Sequence, residues 1–301
     1  MERPFHRVDV FAERLFGGNP ACVFPDARGL DDGTLRAIAR EMGAGATAFV
    51  LPPTRAECTH KVRFFKPMGE ELRACGHATV ATFAVLGAIG DAGPSAVMEC
   101  GAGDVPVTTC LDAAGARVTV VQGHGRFRAF DDAAGKDGLA RALGVPPGDI
   151  LAALPAELAS TGSGGTWVAI APLRDVAAVA ACAPSAAAIE ALGASRVYAF
   201  AMPGDRAGDG TRGCNRARAH ARYFFLEVNG KVDEDPVTGT AAGALAAWLD
   251  RHGRLRRGEA LVVEQGIECR RPGVVRAAVD EAGRVAITGS AVVAFTASLD
   301  V

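Results

Sequence analysis

Arg63-Phe64-Phe65 is followed, after a turn, by Gly76-His77-Ala78-Thr79-Val80-Ala81. Arg222-Tyr223-Phe224 is followed, again after a turn, by Gly239-Thr240-Ala241-Ala242-Gly243-Ala244. Each passage reads as a strand, a loop and a helix that opens Gly-x-Ala-x-x-Ala. Similarity inside one chain fixes architecture before any single residue does, and it predicts two related halves. The first helix runs to about Gly90 and the second to about Gly253. Ala78, Val80, Ala81, Phe83, Val85 and Leu86 leave the first without a polar face. Ala241, Ala242, Leu245, Ala247, Trp248 and Leu249 do the same for the second. A helix that is apolar all round is buried. Set among many short strands, the pair predicts an α+β chain of two pseudo-symmetric domains, each a curved, mostly antiparallel sheet wrapped around a central helix.

The strands are found outward from these helices. Runs rich in Val and Phe, with Gly or Pro near most of their ends, predict strands over 7–11, 21–24, 47–51 and 61–65, then 97–100, 105–111 and 117–122. A helix fits 31–42, with Asp31 or Asp32 as its cap and Leu35, Ile38 and Ala39 on one face. The second half repeats the texture, with strands over 167–170, 197–201, 222–228, 260–264, 274–279 and 285–287 and a helix over 184–192. The polar, Gly-containing stretch 123–136 is the boundary candidate. The halves are therefore placed at 1–122 and 123–287.

A length of 301 residues suits two domains, and 49% apolar with 22% charged residues is a globular composition. The formal net charge of −2 gives no basic excess for phosphate contacts, so nucleic acid is not an expected partner. The longest apolar run, 78–89, is short of the roughly 20 residues a bilayer requires. No apolar segment follows the N-terminus as in a signal peptide, so the cytoplasm is the expected compartment and no membrane is a partner. Eight cysteines in a chain of this size read as reduced thiols, and none forms a CxxC pair, so no metal site is expected. No GxGxxG follows a strand and no GxxxxGK[ST] is present, so no cofactor is expected. Gly162-Ser163-Gly164-Gly165 reads as a substrate loop or a turn. The Arg- and Gly-rich stretch 204–220 reads as a solvated loop in preference to a lid.

The chemistry lies where the two buried helices begin. A helix N-terminus carries free N–H groups and partial positive charge, and so holds a carboxylate. Cys75-Gly76-His77 leads into the first helix and Asp235-Pro236-Val237-Thr238-Gly239-Thr240 into the second. His77 exchanges a proton near neutral pH, and Asp235 is an acid beside a rigid proline. Abstraction of a proton next to a carbonyl needs such groups and donors that stabilise the enolate. Each residue also has a structural reading: His77 as a packing residue, Asp235 as the cap of the second helix, Cys75 as a small buried apolar group.

With these segments in view, the chain resembles the phenazine-biosynthesis PhzF-like family of isomerases, which have the diaminopimelate-epimerase fold. The resemblance is carried by Asp9-Val10-Phe11 with Phe16-Gly17-Gly18-Asn19-Pro20-Ala21; by Thr47-Ala48-Phe49-Val50; by Arg63-Phe64-Phe65-Lys66-Pro67 with Glu70; by Cys75-Gly76-His77-Ala78-Thr79; by Ser160-Thr161-Gly162; and by Glu234-Asp235-Pro236-Val237-Thr238-Gly239-Thr240-Ala241. It implies one active site in a cleft, a homodimer, no cofactor, and last strands, 288–301, that return to the first domain. The activity it implies is migration of a proton and a double bond within a small unsaturated cyclic amino or hydroxy acid, in phenazine or another antibiotic-type secondary pathway. His77 matches the family's histidine and Asp235 its aspartate. Thr240 stands where serine is usual, Gly76 and Gly239 offer backbone N–H groups, and Asn19 and Gly162 match substrate-side loops.

One position departs. The family's proton-transfer Glu precedes the Thr-x-Phe-Val strand, and here that place is Ala46. Three explanations stand: an inactivated, substrate-trapping variant; an enzyme that uses His77, Asp235 or Cys75 instead; or a non-catalytic binder of a small acid. Related two-thiol racemases carry Cys before the corresponding Gly, as Cys75 does here, and a helix start favours the thiolate. The second thiol is replaced within residues 236–238, which sets an amino-acid epimerase below the isomerase.

Overall fold

The computed structural model describes residues 2–112, 115–130, 135–162, 166–202 and 218–301. They form two units, residues 1–121 with 288–301 and residues 122–287. The first contains β1 (Glu2–Val10), β2 (Asn19–Phe24), α1 (Asp32–Met42), β3 (Ala46–Leu51), β4 (His60–Phe65), β5 (Glu71–Leu72), α2 (Gly76–Ala88), β6 (Ser95–Cys100) and β7 (Gly103–Asp112). A long strand, β8 (Gly115–Ala129), begins in the first unit and ends in the second. The second unit holds α3 (Gly135–Leu143), β9 (Glu157–Thr161), β10 (Val168–Pro172), α4 (Val176–Ala180), α5 (Ala186–Ala191), β11 (Arg196–Ala201), β12 (Arg218–Leu226), β13 (Val232–Asp235), α6 (Gly239–Arg251), β14 (Ala260–Gln265) and β15 (Gly273–Val279). The last strand, β16 (Arg284–Asp300), starts there and closes the first unit.

The internal repeat extends to every pairing. In the first unit β1–β2 is antiparallel, β2–β3 parallel, β3–β4 and β4–β5 antiparallel, β4–β6 parallel and β6–β7 antiparallel. In the second, β9–β10, β10–β11, β11–β12, β12–β13, β12–β14 and β14–β15 repeat the same directions in the same order. The closing pairs correspond as well: β1 takes β16 antiparallel, and β9 takes β8 antiparallel. A parallel neighbour requires a crossover. In each unit α2 or α6 supplies the crossover between the strand before the short hairpin and the strand after it.

Both crossover helices are buried as their composition requires. Ala78 through Leu86 of α2 are buried without interruption, and so are Ala241 through Leu249 of α6. α1 is the contrasting amphipathic case: Leu35, Ile38 and Ala39 face inward, and Asp31 caps it by accepting the Thr34 N–H at 2.8 Å. Those α1 residues cover an aromatic ladder, one ring from each of β1 to β4: Phe5, Phe24, Phe49 and Phe65. Successive ring centroids are 5.3, 5.1 and 5.6 Å apart, each pair adding about 0.5–1.5 kcal/mol beyond area burial. Because side chains alternate along a strand, Ala46 and Ala48 lie on the opposite face of β3 from Phe49, the face that α2 covers.

One expectation is corrected here, the reading of 204–220 as a loop throughout. Residues 123–129, in the stretch named as the boundary candidate, belong to β8, which runs unbroken through Gly123 and Gly125. Gly125 is needed where it stands, since a Cβ there would lie 2.6 Å from the Ala247 side chain. Arg218 and His220 open β12 and are not loop residues. The rest of the Arg-rich stretch, residues 203–217, lies outside the described residues, as do residues 163–165.

Candidate active site

The entry to each crossover helix is built by a repeated device. The Arg63 guanidinium donates to both carboxylate oxygens of Glu71, each at 2.7 Å. Arg222 does the same to Glu234 at 2.9 and 2.7 Å. Each guanidinium also lies over a ring two residues on, Phe65 at 5.3 Å and Phe224 at 4.7 Å. A fork-to-fork pair fixes both distance and plane. It therefore pins β5 and β13, which are too short to hold themselves. Arg222 goes further: its third nitrogen donates to the carbonyls of Val179, Ala180 and Cys182, closing the C-terminal end of α4.

From those strands the chain enters the helices in equivalent ways. Each crossover helix has 13 residues, begins on a glycine, and follows an extended N-cap residue whose side chain makes no cap hydrogen bond: Cys75 before Gly76, and Thr238 before Gly239. An N-terminus without a side-chain cap keeps orphan N–H groups for an anion. Of the two readings of Asp235, acid and helix cap, the structure corrects the second. Pro236 and Val237 intervene, and the cap position belongs to Thr238. Asp235 is the last residue of β13, opposite Tyr223. Its carboxylate accepts the Thr238 hydroxyl, so the acid is held beside the helix entry and does not close it. Gly239 is buried, and Thr240 is half-buried one residue further on.

At the first helix start, Cys75 is buried and its Sγ lies 3.4 Å from His77 Nδ1. His77 Nε2 is buried and has no hydrogen-bond partner among the described residues. Burial pushes the imidazole down from 6.5 to about 4, so the ring is neutral at pH 7, with one nitrogen bearing hydrogen and the other a lone pair. Gly45 explains how close the surroundings come. A Cβ there would lie 2.8 Å from Asn19 Oδ1, 3.1 Å from the Pro20 carbonyl and 3.6 Å from His77 Nε2. Asn19, the first residue of β2, is 1% exposed, and Ala46, the first of β3, is fully buried and paired with Ala21. The structure thus brings Asn19, Gly45, Ala46, Cys75 and His77 together. Gly162 belongs to the second unit, exposed just past β9, where its N–H donates to the His124 carbonyl at 3.1 Å.

The supporting roles of two residues carry no signal in the sequence. Asp9 is 4% exposed on β1, and its carboxylate accepts the Phe16 N–H at 2.7 Å. That bond ties down a loop containing three positive-φ residues, Phe11, Phe16 and Gly18. Gly18 has no alternative, since a Cβ there would sit 1.9 Å from the Val10 carbonyl oxygen. Gln265 is the other, 1% exposed at the end of β14. A lone glutamine in a strand carries no sequence signal.

Among the described residues, no group of three or more His, Cys, Asp or Glu side chains could hold a metal ion, and no helix is long and apolar enough to cross a membrane.

Comparison with known proteins places this geometry. The family described as phenazine biosynthesis-like protein matches residues 8–297. An uncharacterized isomerase, YddE of Escherichia coli O157:H7, is 31% identical over 99% of this chain and 98% of its own. The trans-2,3-dihydro-3-hydroxyanthranilate isomerase of Pseudomonas chlororaphis is 30% identical over 95% of each chain. A solved phenazine biosynthesis protein of the PhzF family from Bacillus anthracis superposes with a TM-score of 0.82 at 26% identity, covering 100% of both chains.

Proposed function

This chain belongs to the phenazine biosynthesis-like family and is an isomerase, and from that premise we propose that it moves a proton, and a double bond with it, within a small unsaturated ring acid. The observation that carries the reading is the matched pair of helix entries. Each is uncapped, begins on glycine, is pinned by an Arg–Glu fork, and has a proton-carrying side chain beside it. Cys75 and His77 stand at one, Asp235 at the other.

The assigned roles follow from the chemistry of each group. The Asp235 carboxylate takes a proton from a ring carbon, and the electron pair left behind shifts into the adjacent double bond. A proton returned to the far end of that system completes the isomerisation without any net redox change. His77 suits either transfer because its neutral ring both donates and accepts. Each helix entry suits a substrate carboxylate, the first through the N–H groups at Gly76 and the second through those at Gly239 with the Thr240 hydroxyl. Asn19 and Gly162 line the substrate side. The Pseudomonas chlororaphis relative supports a cyclohexadiene acid of the dihydro-hydroxyanthranilate type as the first substrate to try. The reading includes a cytoplasmic homodimer working without a cofactor in a secondary biosynthetic pathway; the dimer is checked by sedimentation.

Incubation with trans-2,3-dihydro-3-hydroxyanthranilate, followed by absorbance and NMR, tests the reading. Loss of the starting diene in step with a protein-dependent product supports it. An unchanged diene, across this acid and a panel of unsaturated proline-type acids, overturns it.

Ala46 favours a second reading, a protein that binds such an acid and does no chemistry, because a methyl group carries no proton. It predicts binding without proton exchange at any pH, and any turnover excludes it. A two-thiol epimerase is the weaker third, since the residue equivalent to Cys75 at the second helix is Thr238.

A further inference from the structure

We propose that Gln265 is a positioning residue that sets the direction of a hydrogen-bond relay ending on the Asp235 carboxylate; the inference rests on Asp235 being a proton carrier. The buried carboxamide uses all of its bonding capacity within the second unit. Its oxygen accepts the Tyr198 hydroxyl at 3.1 Å and the Thr238 N–H at 3.3 Å. Its nitrogen donates to the Asp235 carbonyl at 2.8 Å and to Thr238 Oγ1 at 3.4 Å. Thr238 in turn donates its hydroxyl to Asp235 Oδ2.

The main chain fixes the polarity of this relay. A carbonyl oxygen only accepts and a backbone N–H only donates. The Asp235 carbonyl must therefore meet the amide nitrogen, and the Thr238 N–H must meet the amide oxygen. That orientation turns an N–H toward Thr238 Oγ1. The threonine oxygen is then an acceptor on one side, and its single hydrogen is directed to Asp235. Tyr198 reinforces the arrangement: it is fully buried, and burial holds its hydroxyl protonated far above the ordinary value, so it donates. Each bond in the series polarises the next. The outcome is a carboxylate whose plane is fixed by Thr238, and a Thr238 fixed by Gln265.

Among the described residues, the first unit shows no such relay. The last residue of β6, which corresponds to Gln265 at the end of β14, is Cys100, and its thiol bonds only locally to the Gly103 carbonyl at 3.4 Å. The two helix entries share their forks and glycines, but among the described residues the amide–hydroxyl–carboxylate relay is seen at the second alone.

The test uses Gln265→Glu, Gln265→Leu, Thr238→Val and the Gln265→Leu/Thr238→Val double variant of the full chain. With the ring acid that the enzyme turns over, each single change lowers kcat by roughly 10- to 100-fold and leaves KM within about threefold. The double variant is no slower than the worse single one, because both changes break the same relay. The Gln265→Glu enzyme regains activity relative to wild type as pH falls, because a protonated carboxyl donates again where the amide did. Multiplicative losses, a change in KM alone, or a Gln265→Glu enzyme that tracks wild type at every pH overturns the proposal. If the chain turns over no ring acid, the functional reading fails separately. The relay is then read from the 13C shift of the Asp235 carboxyl carbon. It moves to the same value in Thr238→Val and Gln265→Glu if the relay exists, and an unmoved resonance contradicts it. Gln265→Glu and Tyr198→Phe carry the test should Gln265→Leu fail to fold.

Discussion

Arg222 grips Glu234 through two parallel hydrogen bonds, at 2.9 and 2.7 Å, and places its remaining nitrogen under three carbonyls at the end of α4. Arg63 makes the same fork on Glu71 but spends its remaining nitrogen on the exposed Asp32 carboxylate at 2.6 Å. One device therefore has two degrees of burial, with side-chain exposures of 11% for Arg222 and 20% for Arg63.

The difference predicts unequal costs. Arg222→Leu strands a half-buried carboxylate and three carbonyls and lowers unfolding stability by about 3 kcal/mol. Arg63→Leu, with water close to both partners, lowers it by about 1 kcal/mol. Urea unfolding of the two variants measures this directly. Equal losses would show that the fork alone sets the cost and that the carbonyls under Arg222 add nothing.

His77 predicts a pH dependence with a definite sign. In the unfolded chain it takes a proton near 6.5; in the folded protein burial delays this to about 4. Between those values the unfolded state binds more protons, so stability falls as pH drops. The contribution is fully present above pH 6.5 and is lost by about pH 4. Wild type therefore loses stability relative to His77→Asn across that window, by roughly 3 kcal/mol at most. Parallel curves for the two proteins would mean that His77 titrates as freely folded as unfolded.

Ala46→Glu restores the acid that the family resemblance places there. The position is fully buried, on the α2-covered face of β3, one residue from Gly45 and its close neighbour His77 Nε2. The added carboxylate lowers the thermal midpoint, because burying a charge costs stability. It also raises isomerisation by roughly 100-fold, the usual worth of a placed acid–base group. A folded Ala46→Glu protein with no rate gain would show that the chain has settled on other proton carriers.

Gly18→Ala tests the loop that Asp9 ties down. The φ of +57° and the Val10 carbonyl together leave no room for a methyl group. The variant loses more than about 1 kcal/mol, measured by thermal unfolding. An unchanged midpoint would mean that the loop relaxes without cost.

The fold was legible because it is written twice. Two glycine-led, all-apolar helices after Arg-x-Phe strands were enough to place α2 and α6 and to foresee their burial. What stayed hidden had weak local signals. β5 has two residues and β13 four, too few for any period to show, and both are held by Arg–Glu forks that pair residues eight and twelve apart. β8 continues past residue 122 through the Gly-containing stretch named as the boundary candidate, because its pairing with β9 is decided by distant sequence. The far end of β16 alternates between partly exposed and exposed residues, so no buried stripe announces a strand there. At the site, the reactive residue types were visible as helix entries. The roles of Thr238 and Gln265 were not, because each depends on bonds to backbone groups whose positions only the fold supplies.

Proton exchange with solvent is the most direct test of the central claim. Wild type, Asp235→Asn and His77→Asn would be incubated with the ring acid in heavy water and the product carbons read by NMR. Deuterium is expected at one ring carbon with wild type, and loss of that label with Asp235→Asn. Full retention of label by Asp235→Asn would contradict it.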